Sequence, residues 1–129
     1  MDRIIIETKK TNLNPNNSQG IKKNNMIFTS QKAAIDPVEG NVMAPWDIKA
    51  QTEHVIKNIV AIVEAGGGTR KDIVQINVYL QHVSYAQEMN EVYRKSFPPD
   101  ELPARSVTIM DFTGDGGILV EMSAIAIVG

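Results

Sequence analysis

The stretch from Ile118 to Val128 constrains the fold more than any other part of this chain. Read as a strand, it is apolar on both faces: Ile118, Val120 and Met122 lie on one, Leu119, Ile125 and Ile127 on the other. A strand of that kind has to be covered from two sides. Helices can supply one cover. With 129 residues, the chain is one domain's worth, residues 1–129, and buries roughly two thirds of its unfolded surface. The second cover is therefore expected from another subunit. The same stretch is too short for a membrane helix and contains Glu121.

The rest of the chain supplies the other elements. Ile4 to Glu7 reads as a short strand, and Thr11 to Ser18, rich in Asn around Pro15, reads as a loop. Gly20–Lys22 and Met26–Ser30 flank the turn signal Lys23-Asn24-Asn25, which predicts a hairpin. From Asp47 the period changes. Ile48, Thr52, Val55, Ile56, Ile59, Val60 and Val63 fall on one helical face, with Lys49, Gln51, Glu53, Lys57 and Asn58 on the polar side. Gly66-Gly67-Gly68 ends that helix, because glycine adopts the left-handed cap conformation without strain. Ile73 to Leu80 alternates as a strand. Ser84-Tyr85-Ala86-Gln87 has capping-box spacing and opens a second helix with Tyr85, Met89, Val92, Tyr93 and Phe97 inward, stopped by Pro98-Pro99. Ala104–Met110 and Ile118–Val128 are the last strands, joined by a loop containing Gly114-Asp115-Gly116-Gly117. The order β-β-β-α-β-α-β-β predicts an α+β fold, a mixed sheet with its helices on one face.

Composition removes several function classes. A net charge of −2, with the pairs Lys9-Lys10, Lys22-Lys23, Arg70-Lys71 and Arg94-Lys95 scattered along the chain, argues against a protein built for nucleic acid or anionic membrane. There is no cysteine, which excludes disulfides, thiolate metal sites and a cysteine nucleophile. The first residues hold too short an apolar run for a signal peptide, so the cytoplasm is the expected location.

Glu121 is the residue that most needs explaining, as the only charge between Gly117 and Gly129. A carboxylate inside an apolar strand is costly to bury unless it is paired or functional. Arg105, which opens the preceding strand after Pro103-Ala104, is the natural partner in kind. A structural Arg–Glu pair, or a carboxylate facing solvent, accounts for the pattern as well as a reactive site does. The other motifs carry less. Gly66-Gly67-Gly68-Thr69-Arg70-Lys71 closes a helix, whereas a phosphate loop opens one. His54 and His82 lie on different elements without metal-ligand spacing and read as surface residues. Trp46 reads as packing at the entry of the first helix.

Several segments, in order and over nearly the whole chain, resemble the RidA/YjgF family. They are Asn25-Met26-Ile27-Phe28-Thr29-Ser30, Ile35-Asp36-Pro37, Asp47 to Thr52 with Asn58-Ile59, Asp72-Ile73-Val74 with Val78-Tyr79-Leu80, Asn90-Glu91-Val92-Tyr93, Pro103-Ala104-Arg105-Ser106, and Leu119 to Ala126. The resemblance implies a chorismate-mutase-like subunit, a mixed six-stranded sheet with two helices packed on one face, assembled as a homotrimer with ligand clefts between subunits. It also implies an activity, the hydrolysis of enamines and imines such as 2-aminoacrylate to a 2-keto acid and ammonia. No cofactor is implied, because the imine carbon is already electrophilic.

In that frame Arg105 grips the substrate carboxylate with its planar fork. Glu121 acts on the attacking water, its pKa expected to rise in an apolar strand unless Arg105 stands close enough to oppose the shift. Asn17, Ser30, Gln31, Asn90 and Val107 are the substrate-binding positions that the resemblance implies. The chain also departs from the family pattern. Asn17 stands where the family's Tyr is usual, Ser30-Gln31-Lys32 replaces Ser-Gly-Gln, Val107 replaces a frequent Cys, and Phe112-Thr113-Gly114-Asp115 replaces a Leu-Pro loop. Two alternatives follow: a deaminase for a larger substrate such as 2-aminomuconate, and a non-catalytic trimeric module that binds carboxylates.

Overall fold

The computed structural model describes residues 3–112 and 116–129. The three central residues of the predicted loop, Thr113, Gly114 and Asp115, lie outside the described residues. One six-stranded sheet forms, in the order β1-β2-β3-β6-β4-β5, from β1 (Ile4–Ile6), β2 (Gly20–Lys23), β3 (Met26–Thr29), β4 (Ile73–Leu80), β5 (Ala104–Ile109) and β6 (Val120–Ile127). All pairings are antiparallel except β4 with β5. That parallel pair is connected through α2 (Ala86–Ser96), as parallel neighbours require a crossover. With α1 (Ile48–Ala65), α2 lies on one face of the sheet.

β6 sits in the middle of the sheet, between β3 and β4. Its Val120, Met122, Ala124 and Ala126 are buried beneath the helices. Its other face carries Glu121, Ser123, Ile125 and Ile127. No element of the chain covers that face among the described residues. The register lines up Ile5, Ile21, Phe28 and Ile125 across it as an apolar row. Ile5 is 59% exposed, Phe28 41% and Ile127 42%, a contiguous apolar surface of the kind that marks an interface. A bulge at Val74 turns both Val74 and Gln75 onto this open face, between buried Ile73 and Ile76.

α1 forms where the periodicity places it. Asp47 caps its start by accepting from the Ala50 N–H at 3.0 Å. At its end Gly68 N–H reaches Val63 O at 2.9 Å and Gly67 N–H reaches Glu64 O at 3.0 Å. This double closure needs a left-handed residue, which Gly67 supplies at φ +94°. The helix packs closely: a Cβ on Gly20 of β2 would stand 2.6 Å from Ile62 Cγ2.

Four expectations are corrected. Gln51 and Asn58 are not on a solvated face but buried. Gln51 Nε2 donates to Ala44 O and Gly117 O, its Oε1 accepts from Leu119 N–H, and Asn58 Nδ2 donates to Ala33 O. Burial is tolerated because loop backbone satisfies each amide. The same bonds hold Gly117 and Leu119 against α1, so Leu119 is fully buried and the strand begins only at Val120. Ser84 does not cap the second helix. It lies in a short 3₁₀ turn, Val83–Tyr85, where His82 Nδ1 accepts from Ser84 N–H, and α2 begins at Ala86 without a side-chain cap. Trp46 is largely exposed rather than packed, at φ +64°.

Candidate active site

The sheet register decides where the candidate residues point. Arg105 pairs with Ile76, which is buried under the helices, so its side chain leaves β5 on the helix side. There Arg105 Nη1 donates to Asn90 Oδ1 at 2.8 Å, and the guanidinium carbon lies 4.6 Å from the centre of the Tyr93 ring. Asn90 and Tyr93 are one helical turn apart on α2 and present one face. With Arg94, Leu102 and Pro103 these residues line a cleft of about 260 Å³ at the β5 edge. The Asn90 bond is the one hydrogen bond of the Arg105 guanidinium among the described residues, and the side chain is exposed. Burial pushes the Tyr93 phenol above its ordinary range, with the Arg105 charge pulling the other way. Its hydroxyl is buried without a protein hydrogen-bond partner among the described residues.

Glu121 pairs with Tyr79, between buried Val78 and Leu80, and so projects from the open face. Its Oε1 accepts from Gln31 Nε2 at 2.8 Å. Glu121, Gln31, Ser30 and Asn17, with Asn14 and Lys32, line a second cleft of about 200 Å³. The Ser30 hydroxyl is buried there without a protein partner among the described residues. Gln19 holds the adjoining loop in place: its amide donates to the carbonyls of Thr8, Thr11 and Asn12 and accepts from Thr8 N–H. Lys32 is buried, its Nζ donating to Asn12 O at 2.9 Å, and desolvation lowers its pKa below the ordinary lysine value.

The expected Arg105–Glu121 partnership does not occur within one chain. The two residues leave opposite faces of the sheet, two strands and three residues apart in register. At ~4.8 Å per strand and ~3.3 Å per residue their backbones are roughly 14 Å apart. The predicted residues therefore form two groups: Arg105 with Asn90, and Glu121 with Asn17, Ser30 and Gln31. Val107 shares the Arg105 side of β5, pairing with Val78 at the exposed sheet edge, and does not line either cleft.

Sequence reasoning counted Tyr93 only as a core residue and gave Lys32 no place in the site. The three-residue spacing from Asn90 to Tyr93 was the available signal for the first. Nothing in the local sequence marks Lys32.

Known proteins share this architecture. The family model for Endoribonuclease L-PSP matches residues 10–128. A RutC family protein of Pyrococcus abyssi is 42% identical over 110 residues, 84% of each chain. Reactive Intermediate Deaminase A of Arabidopsis thaliana, a chloroplastic protein, is 35% identical over 89 residues, which is 69% of this chain and 46% of that one. The crystal structure of Escherichia coli TdcF with bound serine superposes with a TM-score of 0.86 at 29% identity, covering 98% of this chain and 99% of that one. By the extent of the family match, and by the motifs around Ser30, Asn90, Arg105 and Glu121, the chain belongs to the Endoribonuclease L-PSP family, also known as RidA/YjgF.

Proposed function

We propose that this chain is a cofactor-independent enamine/imine deaminase that assembles as a homotrimer and works in clefts between subunits. The observation that carries this reading is the exposed guanidinium of Arg105, lining a cleft at the edge strand and held there by Asn90 and Tyr93. A guanidinium presented in this way matches a carboxylate with two parallel charge-assisted bonds. Relatives named for reactive-intermediate deamination and for a bound amino acid support a small amino-acid-like ligand.

Assembly follows from the same geometry. A small imino acid cannot touch Arg105 and Glu121 of one chain across the thickness of the sheet. A site using both takes them from two chains. The uncovered apolar row Ile5-Ile21-Phe28-Ile125 supplies a surface for such an assembly.

In the proposed reaction Arg105 holds the carboxylate of a 2-imino acid. Glu121 of the neighbouring chain orients a water and accepts its proton as oxygen bonds to the imine carbon. In this reading the buried Ser30 hydroxyl, which has no protein partner among the described residues, hydrogen-bonds the tetrahedral adduct. That proton passes to nitrogen to give the carbinolamine; the adduct's hydroxyl proton then moves to nitrogen by way of the Glu121 carboxylate as the C=O bond forms, the C–N bond breaks, and a 2-keto acid and ammonia leave. An enamine such as 2-aminoacrylate enters after protonation of its terminal carbon gives the imine.

A specific feature favours a substrate with a polar end. The Glu121 cleft is lined by Asn12, Asn14, Asn17, Gln31 and Lys32, where an aromatic ring is usual at position 17. This keeps the larger-substrate form, such as 2-aminomuconate, as the second reading. One experiment separates them: an amino-acid oxidase generates imines in situ, semicarbazide traps what escapes, and keto-acid release is followed for a panel of side chains. Acceleration with 2-iminobutanoate supports the first form, and acceleration with 2-aminomuconate alone supports the second. Keto-acid binding without any acceleration would leave only a binding module.

A further inference from the structure

We infer that Tyr93 is a positioning residue for Arg105, and that with Asn90 it selects the Nε–Nη2 edge of the guanidinium as the edge that meets a carboxylate. The inference rests on the reading of Arg105 as the carboxylate grip.

Arg105 is exposed on the outermost strand, where a long side chain ordinarily samples many rotamers. Two contacts restrain it. The Tyr93 ring lies beneath the guanidinium at 4.6 Å, a distance at which the ring quadrupole attracts the cation and favours a stacked plane. Asn90 Oδ1 accepts from Nη1. Nη1 is the nitrogen on the Cδ side of the group, so the parallel fork of Nε–H and the nearer Nη2–H is the edge that takes no part in the Asn90 bond. Asn90 therefore acts on the substrate through Arg105, with its amide oxygen already committed.

The ring that supports Arg105 is itself buried and packed. Tyr93 on α2 and Phe97, the residue that follows the helix, are both buried, with ring centres 4.9 Å apart and planes tilted by 36°. Arg70 lies over the Phe97 ring at 5.9 Å and pairs with Glu101 at 2.8 Å. The contacts Arg105–Tyr93–Phe97–Arg70 thus link the cleft through two buried rings to a partly exposed ion pair. A cation held at one end of such a stack loses less freedom when a carboxylate arrives, which is preorganisation.

The test uses the ¹⁵N-labelled full chain, reading the order of the Arg105 Nε–H group by relaxation and the Kd for 2-oxobutanoate by titration. Tyr93→Leu keeps an apolar side chain and removes the ring. It is expected to loosen Arg105 Nε–H and to weaken 2-oxobutanoate about three- to fivefold, the range of a partly exposed cation–π contact. Tyr93→Phe restores both readouts, because the ring is retained. Asn90→Ala, at a half-exposed position, provides a second perturbation should Tyr93→Leu unfold, and it too is expected to loosen Nε–H. With turnover, KM rises more than kcat falls. Wild-type Nε–H order and affinity in a folded Tyr93→Leu, or wild-type Nε–H order in Asn90→Ala, overturns the inference. A wild-type chain inactive on imines, whose Arg105 nonetheless loosens in these variants, defeats the deaminase reading and leaves the positioning role standing.

Discussion

Replacing Arg105 by Lys is the most informative single change, because it keeps the charge and removes the fork. In the structure Nη1 is committed to Asn90, while the Nε–Nη2 edge takes no part in that bond. A carboxylate bound there makes two charge-assisted hydrogen bonds. A lysine ammonium in the same cleft makes one, since its donors diverge from a point. Each hydrogen bond to a charged group contributes about 1.5–3 kcal/mol, so losing one corresponds to roughly a 10- to 150-fold rise in Kd or KM. Exposure decides where in that range the effect falls. Arg105 is exposed in the single chain, and a wet, screened site lies near the low end. A cleft closed by a second chain lies toward the high end. The assay is 2-oxobutanoate affinity together with keto-acid release from imines formed by an amino-acid oxidase. Arg105→Lys with Kd and KM within about twofold of wild type would refute the bidentate grip. An equal loss in Arg105→Lys and Arg105→Met would contradict the single bond assigned to lysine, because charge alone would then count for nothing.

Three other changes test separate parts of the account. Glu121→Gln keeps the hydrogen-bonding shape beside Gln31 but cannot accept the water's proton, so kcat is expected to fall about 10²-fold or more while 2-oxobutanoate affinity holds; an unchanged kcat would remove Glu121 from the chemistry. Lys32→Met is expected to stabilise the fold in urea titrations near neutral pH, because burial lowers the folded-state pKa of this lysine and Asn12 O keeps its bond from Gln19. The unfolded chain binds this proton more tightly than the folded one, so wild-type stability rises as pH climbs through the folded-state value toward lysine's ordinary range; the advantage of Lys32→Met should shrink along that climb, and an advantage independent of pH would contradict the assignment. Gln51→Leu strands Leu119 N–H, while Ala44 O and Gly117 O keep the N–H groups of Asp47 and Trp46, for an expected loss of about 1–3 kcal/mol in chemical denaturation, and a loss near zero would mean that Leu119 N–H finds another partner.

The parts of the fold legible in the sequence were those with a clean period. α1 and β4 are bounded by glycines and alternation that depend on no other element, and they lie where they were expected. Gln51 and Asn58 were misplaced because hydropathy scores an amide as solvated, whereas these amides bond loop carbonyls that arrive from distant parts of the chain. The same bonds shortened β6 at its start. Arg105 and Glu121 were matched by chemical kind, but a strand's side-chain direction depends on register. Here β4 stands between their strands and sets them on opposite faces. The support of Tyr93 for Arg105 was hidden for a related reason, since only the crossover through α2 brings that helix beside the β5 edge.

Complementation between two inactive variants tests the two-chain site most directly. Arg105→Ala and Glu121→Gln chains are each expected to be inactive alone. Unfolded together, mixed in equal amounts and reassembled at random, they place an intact Arg105 against an intact Glu121 in roughly a quarter of the clefts between neighbouring subunits. The account predicts recovery of about that fraction of wild-type turnover. A mixture as inactive as its components, although mixed oligomers have formed, would contradict it.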